Sequence, residues 1–140
     1  MKKLSTDIRL SLAAGSAAPP YYYNMMIKQD LCQSSCADEK PSFIPTLLLK
    51  SIEQVGVSQW ELIFHLEGTV HYIPCGCNAC GTKAQLISKD VAFPVFSTTP
   101  ITSATALPGI PYNYIEKVAC CDCSNKFRCD VPVTLAIVTA

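Results

Sequence analysis

The feature that most constrains this chain is an apolar–polar alternation with a period of two. Phe127, Cys129, Val131, Val133, Leu135 and Ile137 occupy every second position, and Lys126, Arg128, Asp130, Thr134 and Val138 lie on the other face. Trp60, Leu62, Phe64 and Leu66 alternate in the same way with Glu61, Ile63, His65 and Glu67. Successive side chains of a strand point to opposite faces of its sheet, so each run reads as a half-buried β-strand. Phe43–Leu49 and Ile52–Val57 are shorter apolar runs. Gln85, Ile87, Lys89, Val91, Phe93 and Val95 carry another. Gly68 is expected to mark a bulge or bend. Residues 97–111 hold Pro100, Pro108, Gly109 and Pro111 among Ser and Thr, and are expected to form a long loop. The last run reaches the final residues and is expected at a sheet edge, or as a strand completing a partner's sheet.

Six or seven short strands without a convincing long helix imply a mainly β fold, a sandwich or a barrel, over residues 43–140. Residues 1–42 read as an extended N-terminal arm that contacts neighbouring subunits. Pro19-Pro20 forces extended chain, and Tyr21, Tyr22 and Tyr23 follow as candidate anchors. Ile8, Leu10 and Leu12 alternate as a strand would, but Leu4, Ile8 and Leu12 also fit a helix, so periodicity leaves both open. Cys32 and Cys36 fall in a polar stretch expected to be a loop ending at Pro41.

Nine cysteines are present, an odd number that rules out complete pairing within the chain. Two groups stand out: Cys77-Asn-Ala-Cys80-Gly81 and Cys120-Cys121-Asp122-Cys123-Ser124. Each follows one β-like run and precedes another, which places a cysteine cluster at the tips of two hairpins. Two thiolates from each of two tight turns can hold one tetrahedral ion. Cys77, Cys80, Cys120 and Cys123 are therefore the candidate metal ligands, with zinc as the fitting cofactor. Four thiolates close such a site, which makes it structural. The alternatives are disulfides, such as Cys75 or Cys77 with Cys120 or Cys121, and inert buried thiols. Asp7 and Arg9 interrupt the only stretch that resembles an export signal, and without one Cys-x-x-Cys favours metal or free thiols. Cys129, on the apolar face of the last run, is expected in the core.

The chain carries 11 basic and 11 acidic residues, for a formal net charge of zero. No basic face is advertised, so contact with nucleic acid through phosphates has little support. No apolar run reaches the roughly 18 residues of a membrane span. There is no phosphate loop, no dinucleotide fingerprint and no recognisable nucleophile-and-base set, so enzyme activity and a small-molecule substrate are not expected. His65 and His71, six residues apart, read as two solvent-facing histidines on one strand face unless Gly68 shifts them. Charged residues make up only 16%, which suits a surface largely covered by partners.

Four segments carry a family resemblance. They are Gly68-Thr-Val-His-Tyr-Ile-Pro-Cys-Gly-Cys-Asn-Ala-Cys-Gly-Thr-Lys, Val91-Ala-Phe-Pro-Val-Phe and Cys120-Cys-Asp-Cys-Ser-Asn-Lys-Phe, with Val131-Pro-Val-Thr-Leu-Ala-Ile near the end. Over residues 65–138 the chain resembles small β-rich virion proteins of crAss-like tailed bacteriophages. The resemblance implies a capsid-associated or other particle subunit, assembled in the bacterial cytoplasm, without enzyme activity. Its partners would be copies of itself and other subunits of the particle. Two other classes stay open: a metal-stabilised β module, zinc-ribbon-like, that binds a protein or nucleic acid, and a secreted, disulfide-linked fibre or surface protein.

Overall fold

The computed structural model describes residues 4–13, 20–36, 40–75, 81–117 and 123–140. These form eight strands and, among the described residues, no helix. The strands are β1 (Thr6–Leu12), β2 (Tyr21–Cys36), β3 (Thr46–Gly56), β4 (Gln59–Tyr72), β5 (Lys83–Phe96), β6 (Ile101–Pro108), β7 (Tyr112–Ile115) and β8 (Cys123–Thr139). One sheet runs β1-β2-β8-β6, with β7 also paired to β8; the other runs β3-β4-β5. All pairings are antiparallel.

The two sheets share one core, and the alternating runs build it. Leu62, Phe64 and Leu66 of β4 are buried together with Phe127, Cys129, Val131, Val133 and Leu135 of β8, while Trp60 and Ile137 pack against the same cluster at half burial. This is the mainly β sandwich that the alternation implies. Edge-to-face contacts link the layers, Tyr23 with Phe93 at 5.2 Å and Phe43 with Phe127 at 5.7 Å, and Phe64 meets Phe93 within one sheet at 5.2 Å. Each such pair adds about 0.5–1.5 kcal/mol beyond its area burial.

Two tyrosines pin the sheets together. Tyr21 and Tyr23 of β2 donate their hydroxyl hydrogens to the carbonyls of Phe96 (3.0 Å) and Pro94 on β5. Pro94 and Phe96 lie two apart on an edge strand, so their backbone groups point to the same side. There Pro94 needs no N–H, and its carbonyl is free to accept.

The strand expected at an edge is central. β2 pairs along one side of β8, from Tyr21↔Leu135 to Cys36↔Cys123. β6 and β7 share the other side end to end, covering Ile101↔Thr139 to Pro108↔Val133 and Tyr112↔Asp130 to Ile115↔Phe127. Pro132 would disrupt a central strand elsewhere, but it sits at the junction of β6 and β7. Gly109 turns there, its N–H donating to the Pro132 carbonyl at 2.7 Å. A Cβ on Gly109 would lie 2.9 Å from Pro132 Cγ, so the corner fits only glycine without adjustment.

Three other expectations are corrected. The stretch read as an arm supplies β1 and β2, and Tyr21, Tyr23, Met25, Ile27 and Leu31 belong to the shared core. The polar residues between them face outward, so a buried strand had the look of loop; Cys32 and Cys36 also lie on this strand. The stretch read as a loop contains β6, which buries Ile101, Ala104 and Ala106 with small side chains that carry little hydrophobic signal. Gly68 is not at a bulge: β4 and β5 stay in register through Gly68↔Ile87. It makes room instead, since a Cβ there would stand 2.5 Å from Phe43 Cε1 and 2.9 Å from the Ile44 carbonyl oxygen.

Candidate functional site

The chemistry-bearing residues gather at one end of the sandwich. Residues 73–75 follow β4 and reach the start of β8 through Cys75, and Glu116, after β7, donates its N–H to the Lys126 carbonyl of β8. β2 reaches the same end. Its pairing with β8 shifts between Asp30 and Ser35, and other side chains catch the displaced backbone. Gln85 of β5 accepts from Cys32 N–H (2.8 Å) and donates to the Asp30 carbonyl (2.9 Å). Asn125 donates to the Leu31 carbonyl at 3.3 Å, and the Tyr72 hydroxyl accepts from Gln33 N–H at 3.3 Å. These bonds satisfy polar groups that the ladder leaves behind. Pairing resumes at Ser35, which is buried and donates its hydroxyl to the Ile73 carbonyl at 2.8 Å.

That resumption brings three cysteines together. Cys36 lies opposite Cys123 in the β2–β8 register. Cys75 N–H donates to the Ser34 carbonyl at 2.8 Å, and Cys75 is disulfide-bonded to Cys123 with a Cα–Cα distance of 6.1 Å. That separation lies within the range a disulfide spans. Of the proposed ligands, Cys77, Cys80 and Cys120 lie outside the described residues, as does Cys121. Cys123, bonded to Cys75, offers no thiolate in this state. Among the described residues no group of three or more His, Cys, Asp or Glu is placed to hold a metal ion. Cys32 is exposed and Cys36 half-buried. Cys129 is fully buried in the core, as its face of the strand implies, and burial foremost pushes its thiol up to about 12.

A second cluster lies on the outward face of the β3-β4-β5 sheet. His65 Nδ1 is 2.9 Å from Asp90 Oδ1, and its Nε2 is 3.0 Å from Ser88 Oγ. Lys50 Nζ holds the other Asp90 oxygen at 2.6 Å. The bonds from Lys50 and then from His65 hold the Asp90 carboxyl below its usual range. Ser88 and Asp90 are two apart on β5, and His65 is the direct cross-strand partner of Asp90. The order Ser-His-Asp has the connectivity of a catalytic triad. However, Asp90 is divided between Lys50 and His65, and the His65 and Asp90 side chains are 37% and 41% exposed, whereas triads work in water-excluded sites with oxyanion donors. Here the cluster ties three strands together. Residue spacing within one strand carries no sign of it, because it depends on the β4–β5 register.

The third feature is the outward face of the larger sheet. Tyr22, Thr134 and Leu107 form one cross-strand row, and Met26, Asp130 and Tyr112 another. Tyr22 is 51% exposed, Leu107 60%, Tyr112 61% and Met26 43%. Pro132 lies between the rows, and Val138, also exposed, extends the surface along β8. The exposed apolar side chains of this face thus flank Thr134 and Asp130 of the central strand. No family model, curated protein or solved structure matches this chain.

Proposed function

We propose that this chain is a structural, self-associating subunit of a large particle, of the virion class its sequence resembles, with copies of itself and other subunits as partners. The observation that carries the reading is the exposed apolar surface around Tyr22, Met26, Leu107 and Tyr112 on the outward face of the larger sheet. Zero net charge supports it, since copies do not repel one another at long range. Self-association needs only surface and no chemistry, so the reading includes no catalysis. The test is native mass by light scattering for the parent protein and for Met26→Lys and Leu107→Lys. Both positions point outward, so the fold should survive. The parent should exceed the 15.2 kDa of one chain and the variants should lose mass. A parent that stays at one chain's mass would overturn the proposal.

A second reading, a disulfide-linked surface or fibre protein outside the cell, is favoured by the Cys75–Cys123 bond. Disulfides persist on virion and cell surfaces as well as in secreted proteins. Electrophoresis without reductant separates the two readings: a disulfide fibre gives covalent multimers, whereas the particle subunit runs as one chain. Structural zinc on Cys77, Cys80, Cys120 and Cys123 belongs to the reduced state of this end. Its test is metal content after reduction and zinc loading, with one zinc per chain expected and none contradicting it.

A further inference from the structure

The open edge of β1 carries an inference that specifies how copies meet, and it presupposes the self-association proposed above. Asp30 N–H donates to the Ser5 carbonyl at 3.0 Å, and Ala13 N–H donates to the Tyr22 carbonyl at 2.8 Å. Odd-numbered residues of β1 therefore bond to β2. A residue's N–H and C=O point to the same side of an antiparallel strand. Those of Thr6, Ile8, Leu10 and Leu12 thus face away from β2, toward an edge that pairs with no strand among the described residues. The Thr6 carbonyl shows the direction, since it accepts from Lys89 Nζ across the gap to β5 at 2.7 Å. Side chains follow the same parity: Ile8 and Leu10 pack against the core, and Asp7 and Arg9 lie on the outward face, opposite Lys28 and Met26.

We infer that β1 pairs antiparallel with β1 of a second copy about a twofold axis at Ile8. An edge strand with free backbone groups is a template for strand addition, and a twofold interface must be self-complementary. The charges select the register. With Ile8 opposite Ile8, Asp7 of each copy lies opposite Arg9 of the other. A shift of one residue in either direction sets Arg9 against Arg9, or Asp7 against Asp7. The chosen register makes Ile8 a hydrogen-bonded pair, which places Asp7 and Arg9 at non-hydrogen-bonded pairs, where cross-strand side chains come closest. Ile8 and Leu10 of the second copy would continue the apolar inner face beside a recess of about 390 Å3, lined by Ile8, Leu10 and Val91 among others. The result is one continuous sheet across two sandwiches.

The experiment is a set of charge exchanges followed by sedimentation velocity, with circular dichroism melts to establish folding. Arg9→Asp turns two attractive cross-strand pairs into two repulsive ones. It should raise the dimer dissociation constant about tenfold or more. Asp7→Arg alone should do the same. Mixing these two variants should restore dimers, because each then meets its complement, and the double variant Asp7→Arg/Arg9→Asp should dimerise by itself. Ile8→Pro removes an N–H that no internal bond uses, so it should give a folded protein that associates at least tenfold more weakly than the parent, and it serves if a charge variant fails to fold. An Arg9→Asp protein that is folded and associates as the parent does would overturn this edge while leaving self-association through the outer face standing. A mixture that stays monomeric would likewise overturn the register. A parent that is monomeric throughout would overturn both proposals.

Discussion

Gly68→Ala should destabilise the fold by crowding Phe43 and the Ile44 carbonyl. The backbone at Gly68 is not in the left-handed region, so alanine is acceptable conformationally and only space is at issue. The added methyl would sit 2.5 Å from Phe43 Cε1 and 2.9 Å from both Phe43 Cζ and the Ile44 carbonyl oxygen. Carbon atoms in contact prefer about 3.5–4.0 Å, so the ring would have to retreat by about 1 Å. It has little freedom to do so. Phe43 is 1% exposed and rests edge-on against Phe127. Its backbone is held by reciprocal bonds between Ser42 and His71, each 2.9 Å, and by Asn113, which donates to the Phe43 carbonyl at 3.1 Å. Overpacking of this kind costs about 1–3 kcal/mol, and the entropy removed from the unfolded chain returns about 0.4–1 kcal/mol. The net loss should be about 1–2 kcal/mol, or a melting temperature lower by roughly 5 °C for a domain of this size. The assay is chemical denaturation of Gly68→Ala in two backgrounds. Phe43→Ala alone should cost about 3–5 kcal/mol, and adding Gly68→Ala to it should cost clearly less than in the parent, because the methyl then enters the vacated space and only the Ile44 carbonyl contact remains. An equal cost in both backgrounds, or no cost in the parent, would show that the Phe43 ring does not crowd position 68.

The other predictions concern alkaline stability and thiols. Burial foremost, with Tyr21 beside it, pushes the Tyr23 phenol up to about 12 from an ordinary 10.0, so folding favours its neutral form. That contribution is complete below pH 10.0 and is lost as pH rises toward about 12. Tyr23→Phe should flatten the fall in stability across this window, and an unchanged slope in a pH series of melts would count against it. Cys75→Ser opens a loop closed by the disulfide over a sequence separation of 48, which should cost about 4 kcal/mol by chain entropy. Reductant should then weaken the parent but not the variant, and equal sensitivity would contradict the bond's role. Cys32 is exposed and Cys129 buried, so a thiol reagent should label Cys32 in the folded protein and Cys129 only after unfolding. Mass mapping of labelled peptides reads the difference directly.

The strands with long apolar alternation were legible because period two is a property of the chain alone. β4, β5 and the inner face of β8 follow directly from it. β2 was hidden by its polar outward residues, such as Asn24 and Lys28, and by cysteines suggestive of a loop. β6 was hidden by Ala104 and Ala106, which fill space between sheets without a strong hydrophobic signature. The place of β8 in the sheet depends on which strands flank it, and composition cannot report that. Pro132 argues for an edge until the junction of β6 and β7 is seen beside it. Of the expected cysteine cluster, only Cys123 lies among the described residues, and it meets Cys75. The role of Cys75 was not legible, because the bond depends on the return of β2 to β8 at Ser35. The His65–Asp90–Ser88 cluster and the apolar outer face likewise depend on registers between strands.

Sedimentation equilibrium of the unmodified chain, over a wide concentration range and with and without reductant, tests self-association most directly. The mass should rise with concentration from 15.2 kDa toward twice that value or beyond, in both buffers, because the proposed contacts between copies are noncovalent. A single species that stays at 15.2 kDa at every concentration would contradict it.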